Sequence, residues 1–466
     1  MHLRIRSRIV ALTATLALLT PGLPAVVQAT HIVIPAVGAH PRVVQITPNA
    51  AKVGCQFIRP GRLQCYGPQQ IRTAYGFDKV LAKGITGKGR TIVIVDAFSS
   101  PTIASDLASF DALFGLNDPP SFTQVAPDGL TPFDYNDANQ VGWSAEISLD
   151  VQWAHAIAPD ANIVLDLAKS NDDADILSAT KYAVDHNLGD VISQSFGEAE
   201  SCVASSLLSQ EHKLFEKATL KGITLVASSG DDGAAQPTCD NSSFILSASS
   251  PASDPLVTAV GGTNLLAGPE GCSSTQPAIT PIPCPPPFNV PSGQYISEQA
   301  WNDATPAGGG DLAHGFSGGG FSNLYSRPFY QIGTTGTRAG HRGVPDVAYN
   351  AGVEGGVAAF WGVPFGPGAV FIFGGTSAGS PQWSGLVALA DQAVHHRVGF
   401  INPILYGLAH FPSQYSKTFH DINSGNNNFT PDGVLEISGY QAVKGWDPVT
   451  GLGTPKADAL IVSNMH

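Results

Sequence analysis

The stretch Arg90-Thr91-Ile92-Val93-Ile94-Val95-Asp96-Ala97-Phe98, RTIVIVDAF, decides the fold. Four β-branched residues follow one another with no polar break, and the run ends on a carboxylate. A half-exposed strand would alternate apolar and polar residues. A continuous run belongs to a strand buried on both faces, as in a parallel sheet. The next segment, TIASDLASFDALFG (Thr102–Gly115), has helical spacing. The same alternation then repeats along the chain. ANIVLDLA leads to ADILSATKYAVDHN, DVISQSFG to a helix through Val203–Leu220, and ITLVASSG follows; LVTAVGGTNL and AVFIFGGTS add further strands. Alternating strands and helices predict an α/β fold with a doubly wound, mostly parallel sheet and helices on both faces. In such sheets, sites form at the carboxyl ends of strands. Asp96, Ser195, Asp231 and Ser377 all fall at such ends.

The rest of the composition fits a large folded protein. Of 466 residues, 43% are hydrophobic and 13% charged, which excludes a disordered chain. Lys and Arg number 24 against 37 Asp and Glu, a formal charge of −13. That balance, with no basic stripe, argues against a nucleic-acid partner. The 51 glycines and 35 prolines imply many ordered loops.

The chain opens on MHLRIRSRIV, with three arginines, followed by the apolar VALTATLALLTPGLPAVVQA. A charged start, an apolar centre and a small-residue end at Val27-Gln28-Ala29 form a secretory signal pattern. Pro21 and Pro24 interrupt the run, which is short for a spanning helix. The expected organisation is a signal peptide over residues 1–29, a short N-terminal arm or pro-segment over 30–65 and one domain over 66–466. A secreted, extracellular protein without stable membrane association is expected, as a monomer. Six cysteines in a secreted chain point to disulfides. Pairing neighbours along the chain gives Cys55–Cys65, Cys202–Cys239 and Cys272–Cys284, one of fifteen possibilities in principle. The stretch Gly268–Ser297, rich in Pro, Gly and Ser, reads as a surface insertion.

The chemistry starts from GGTSAGSP, Gly374–Pro381, whose centre fits G-x-S-x-G. A serine hydroxyl needs a base to become a nucleophile. In an α/β-hydrolase the order would be serine, acid, histidine, but too little chain follows Ser377 for the usual half-sheet. A subtilisin-type Asp-His-Ser triad could use Asp96, yet no histidine motif lies between the two; His155 is the nearest candidate. The third option is a carboxylate. In GWSAEISLDVQWAHAIAP, Glu146 and Asp150 are four positions apart. On a helix they share one face, with Cβ atoms about 5–6 Å apart. In an apolar setting such a pair shares a proton and one pKa rises. Alone, the pair reads equally as a solvent-facing acidic helix.

Several blocks together carry a resemblance. EISLD with a following aromatic and AIAP, ASSGDDGA around Asp231, and SGGGFSNLYSRPFYQ at Ser317–Gln331 occur in order. They are joined by GVPDVAYNA at Gly343–Ala351, GGTSAGSP and the closing DINSG and GWDPVTGLGTP. This set resembles the sedolisin (serine-carboxyl peptidase) family from about Tyr66 to the end. The resemblance implies a subtilisin-like fold and a serine endopeptidase acting on proteins or peptides in acid. By position it implies Ser377 as nucleophile, Glu146 as general base, Asp150 as its partner and Asp231 as the oxyanion-hole acid. A carboxyl can donate to an oxyanion only when protonated, which agrees with acid conditions.

The resemblance further implies that SQSFG, with Ser193, Ser195 and Gly197, flanks a groove where a peptide binds as an added strand. It also implies one structural Ca²⁺. The ligands would be the carboxylates of Asp421 and Asp447 and the carbonyls of Ile422, Val443 and Gly445. Val443 stands where the family usually has glycine. Family members commonly carry a large folded pro-domain. Here about 35 residues separate Ala29 from Tyr66, so activation is expected to differ. The rival from another class is a secreted binding protein on a catalytically retired fold. Retention of all four chemical positions argues against it.

Overall fold

The computed structural model describes residues 54–56, 64–271, 286–303, 315–363 and 369–464. The expected signal peptide, most of the arm and the expected Cys272–Cys284 pair lie outside the described residues. In chain order the main sheet contains β1 (Thr91–Ala97), β2 (Phe122–Val125), β3 (Asn162–Ala168) and β4 (Val191–Gln194). It continues with β5 (Thr224–Ser228), β6 (Thr258–Ala267), β7 (Tyr295–Ala300) and β8 (Val347–Asn350). The helices around it are α1 (Ile103–Phe114), α2 (Ala138–Ile157), α3 (Asp173–His186), α4 (Ser205–Leu220) and α5 (Gly379–Val394).

The spatial order is β7-β6-β5-β4-β1-β3-β2, with β8 also paired to β6. Every pairing in this sheet is parallel except β6 with β7. The continuous apolar run of β1 has a direct cause. Ile92 and Ile94 enter one core, shared with α1, α2 and α5, while Val93 and Val95 enter another, shared with α3 and α4. Neither face of β1 meets water, so neither tolerates polar alternation. β1 is also where strand order turns, with β3 on one side and β4 on the other. That is the crevice where sites form in open α/β sheets.

One strand went elsewhere than expected. Val370–Phe373 does not join the main sheet. It pairs with Gly356–Phe360, which pairs with Cys65–Tyr66, in a separate three-stranded sheet. This small sheet is fastened to α2. Gln152 exchanges two hydrogen bonds with the Phe360 backbone, at 2.7 and 2.8 Å, and Trp153 Nε1 donates to the Ala358 carbonyl at 3.1 Å. The attachment covers α2 on its outer side. Every residue of α2 from Trp143 to Ile157 is consequently buried. The expected insertion over Gly268–Ser297 is also partly regular, since Tyr295–Ser297 opens the antiparallel edge strand β7. Two of the three expected disulfides, Cys55–Cys65 and Cys202–Cys239, are formed. Among the described residues, no helix is long and apolar enough to cross a membrane.

Candidate active site

The site is built on two packed helices and two strand ends. α2 starts at Asp137, whose side chain accepts from Asn139 N at 2.9 Å and caps the helix. α5 starts just beyond Ser377, which lies in a short 3₁₀ turn, Thr376–Ala378. The two helices approach closely at Gly385, where an added Cβ would stand 2.7 Å from Ile157 Cβ. Gly375 before the turn has φ of 98°, a conformation that side chains resist. It swings the chain from the small sheet into α5 and leaves Ser377 at the helix start.

Glu146 and Asp150 are not on a solvent-facing helix. Both are fully buried, as are Asp96 and Ser377. Ser377 engages the Glu146 carboxyl, Glu146 engages Asp150, and Asp150 engages Ser195. Asp96 reaches the same cluster from β1. Val95 is in register with Gln194, so Asp96 stands beside Ser195, and its charge opposes that of Asp150. None of the six carboxyl oxygens of Asp96, Glu146 and Asp150 meets a donor in good hydrogen-bond geometry. Contacts between ionised carboxylates contain no donor at all, so the cluster must take up protons to satisfy itself. Burial is the first cause of the resulting shifts. It drives Glu146 well above the usual carboxylate range, helped by the charges of Asp150 and Asp96 and opposed by the Ser377 hydroxyl. It drives Asp150 up to about 7, against hydrogen bonds from Ser195 and Glu146. Asp96 is likewise pushed well above its ordinary value by burial and by Asp150.

Asp231 follows β5 and meets the turn that carries Ser377 directly. Its Oδ1 accepts from Thr376 N and Thr376 Oγ1, both at 2.8 Å. Thr376 was missed by the sequence reading. Its place beside Ser377 was visible, but its partner 145 positions upstream was not. Ser193 and Ser195 turn their hydroxyls to the same segment. Ser193 Oγ lies 2.9 Å from Ser380 Oγ, and Ser195 Oγ donates to the Ser377 carbonyl at 3.4 Å. Their side chains are buried, and Gly197 is buried as well. His155, the alternative base, is buried elsewhere, with Nε2 3.0 Å from the Asn117 carbonyl and 3.2 Å from Asp111.

The loop expected to hold a cation is also assembled. Gly445 N donates to Asp421 Oδ1 at 2.9 Å, and Val443 N donates to Asp447 Oδ2 at 2.9 Å. Asp447 is fully buried and further accepts from Val449 N and Thr450 N. Among the described residues, no cluster of three or more His, Cys, Asp or Glu side chains is present. The two carboxylates are hard oxygen donors of the kind Ca²⁺ takes, here accepting from main-chain N–H groups of the loop.

The sheet is wound in this order, with a serine opening a buried helix at its carboxyl edge. Residues 136–400 match the subtilase family, and the chain belongs to it. The chain is 32% identical to kumamolisin of Bacillus sp. (strain MN-32) over 399 residues, covering 84% of this chain and 62% of kumamolisin. It is 28% identical to sedolisin of Pseudomonas sp. (strain 101), covering 91% of this chain and 65% of sedolisin. A solved structure of Pseudomonas sedolisin, described as a serine-carboxyl proteinase complexed with pseudo-iodotyrostatin, superposes with a TM-score of 0.69 at 27% identity. That match covers 86% of this chain and 97% of the other. Within the subtilases the chain is therefore a sedolisin-family member. It spans a little under two thirds of the length of either relative.

Proposed function

We propose that the protein is a serine-carboxyl endopeptidase that hydrolyses peptide bonds in acid medium. The observation that carries this reading is the contact of Ser377 with Glu146 inside a buried carboxyl cluster. In the proposed reaction, Glu146 removes the Ser377 proton as the hydroxyl attacks the peptide carbonyl. The acyl-enzyme then forms as Glu146 returns that proton to the leaving amine, and water completes hydrolysis by the same route. A carboxylate is ordinarily a weak base. Burial beside two other carboxyls raises the proton affinity of Glu146, which makes it a stronger one. The pair works with one shared proton, and the reactive form is the one in which Glu146 is open to accept. Asp231 supplies the oxyanion donor. With Oδ1 accepting twice from Thr376, its proton is carried on Oδ2. A deprotonated Asp231 has no donor to offer the oxyanion, so activity falls as pH rises.

Calcium belongs to the same reading as a structural ion. Asp421, Asp447 and the carbonyls of Ile422, Val443 and Gly445 would hold it, and bound there it would fix the loop. Residues 1–29 are read as a secretion signal, and the two disulfides fit an oxidising compartment. Residues 30–65 are read as an arm preceding the peptidase domain at 66–466. The test is a pH–rate profile on a denatured protein, with product masses. The expected optimum lies well below neutrality, and a maximum near pH 8 overturns the carboxylate mechanism. Ser377→Ala abolishes turnover, and Glu146→Gln lowers kcat by about 10²–10⁴-fold. A fully active Glu146→Gln protein also sinks the assignment.

A further inference from the structure

An open pocket of about 200 Å³ lies beside the oxyanion loop, outside the carboxyl cluster. Its walls include Ala234, Phe321, Asn323, Arg338, His341 and Tyr440. Arg338 is exposed, and its guanidinium lies 4.2 Å from the centre of the Phe321 ring and 5.7 Å from that of Tyr440. Stacking fixes the plane of the guanidinium while its edge N–H donors stay available. Three buried or half-buried arginines are spent on the protein. Arg342 is paired with Asp346, Arg397 with Asp190, and Arg72 donates to the Ala156 carbonyl. Arg338 forms no ion pair among the described residues. Glu200 also touches this wall, but it is buried and accepts from Ser322 Oγ and Asn323 N, both at 2.6 Å.

The neighbours of Arg338 add to its character. His341 Nδ1 lies 2.8 Å from the Ser322 carbonyl, which can only accept, so the ring is held with that nitrogen protonated. In a chain of formal charge −13, an exposed arginine on a pocket wall whose carboxylate, Glu200, is already engaged by Ser322 and Asn323 stands out. Its place matters as much. Ala234 is three residues beyond Asp231, within about 10 Å of it by chain reach alone. Gly318, two residues before Gly320 on the pocket wall, donates its N–H to the Gly230 carbonyl at 2.8 Å.

We propose that this pocket is a substrate subsite for a carboxylate, bound by the edge of Arg338, and that it selects acidic residues near the scissile bond. The proposal rests on the peptidase reading for the word substrate, while the carboxylate recognition stands on the pocket itself. The carboxylate comes from an Asp or Glu side chain or from a peptide's C-terminus. The pairing is charge-assisted, and the stacked guanidinium is already oriented.

The experiment uses matched peptides that differ only by Glu against Gln at successive positions around the cleaved bond. Each is made as the free acid and as the C-terminal amide. Glu is expected to exceed Gln by about tenfold in kcat/KM at one position. The preference collapses in Arg338→Gln and persists in Lys83→Gln, a control with the same charge change at an exposed site. A preference that follows the free acid alone assigns the pocket to the C-terminal carboxylate. No preference anywhere, or one that survives Arg338→Gln, overturns the subsite. Calorimetric binding of the same peptides to Ser377→Ala separates the two readings. Discrimination without turnover by the unmodified protein keeps the subsite and sinks the peptidase; turnover without discrimination does the reverse.

Discussion

Replacing Asp166 with asparagine should flatten the dependence of stability on pH. Asp166 sits on β3, fully buried, with neither carboxyl oxygen hydrogen-bonded. It packs with the core of α3 and α4, on the face of the sheet away from Glu146. Burial, then the charge of Asp128, pushes its pKa up from 3.8 to about 8. The native state therefore holds this proton more tightly than the unfolded chain does. The stability it contributes is fully present below about pH 4 and is lost as pH rises toward about 8. From 3.8 to 7 is roughly three units at about 1.4 kcal/mol each, so about 4 kcal/mol is gone by pH 7. Asparagine does not titrate, so whatever it costs is the same at both pH values. The assay is urea unfolding by tryptophan fluorescence at pH 4 and pH 7, at fixed ionic strength. Other buried carboxyls, such as Glu198 and Asp391, titrate in both proteins and cancel. The difference between wild type and Asp166→Asn should move by about 4 kcal/mol across that range. Parallel pH dependences would mean that Asp166 is not protonated in the fold, and the argument would fail.

Three further outcomes follow from the geometry. Thr376→Val removes one of two donors that orient Asp231, and kcat should fall about tenfold, with Thr376→Ser retaining most of it. An unchanged kcat in Thr376→Val would detach Asp231 from the oxyanion role. Converting Cys202 and Cys239 to serine opens a link of sequence separation 37, which should lower unfolding stability by about 4 kcal/mol. A loss below measurement would show that the bond constrains nothing in the unfolded chain. EDTA should lower Tm and added Ca²⁺ restore it; a Tm indifferent to both rules out a structural ion at Asp421 and Asp447.

The parallel sheet was legible because burial on both faces leaves a mark on composition. RTIVIVDAF and DVISQSFG cannot be solvated strands, and both proved central. The Cys55–Cys65 and Cys202–Cys239 links followed from simple adjacency. The partner of Val370–Phe373 was not legible, since four apolar residues look alike in any sheet. Nor was the burial of α2. A helix enclosed on all sides has no apolar stripe to read, so a buried acidic pair and a solvated one give the same letters. The depth of Glu146 and Asp150 depends on a small sheet drawn from Cys65–Tyr66, Gly356–Phe360 and Val370–Phe373, far away in sequence. The Arg338 pocket was invisible for the same reason, its walls coming from four separate stretches of chain.

The placement of Glu146 and Asp150 one turn apart on α2 has a mechanical consequence. Their separation is fixed by helix pitch, about 5.4 Å per turn, and not by the meeting of loops. Two carboxyls drawn from different segments would have to be aligned separately, with thermal motion at each joint. Here they move as one rod. What remains to be set is a single docking coordinate, the slide and tilt of α2 against α5, and Gly385 against Ile157 marks where that coordinate is clamped.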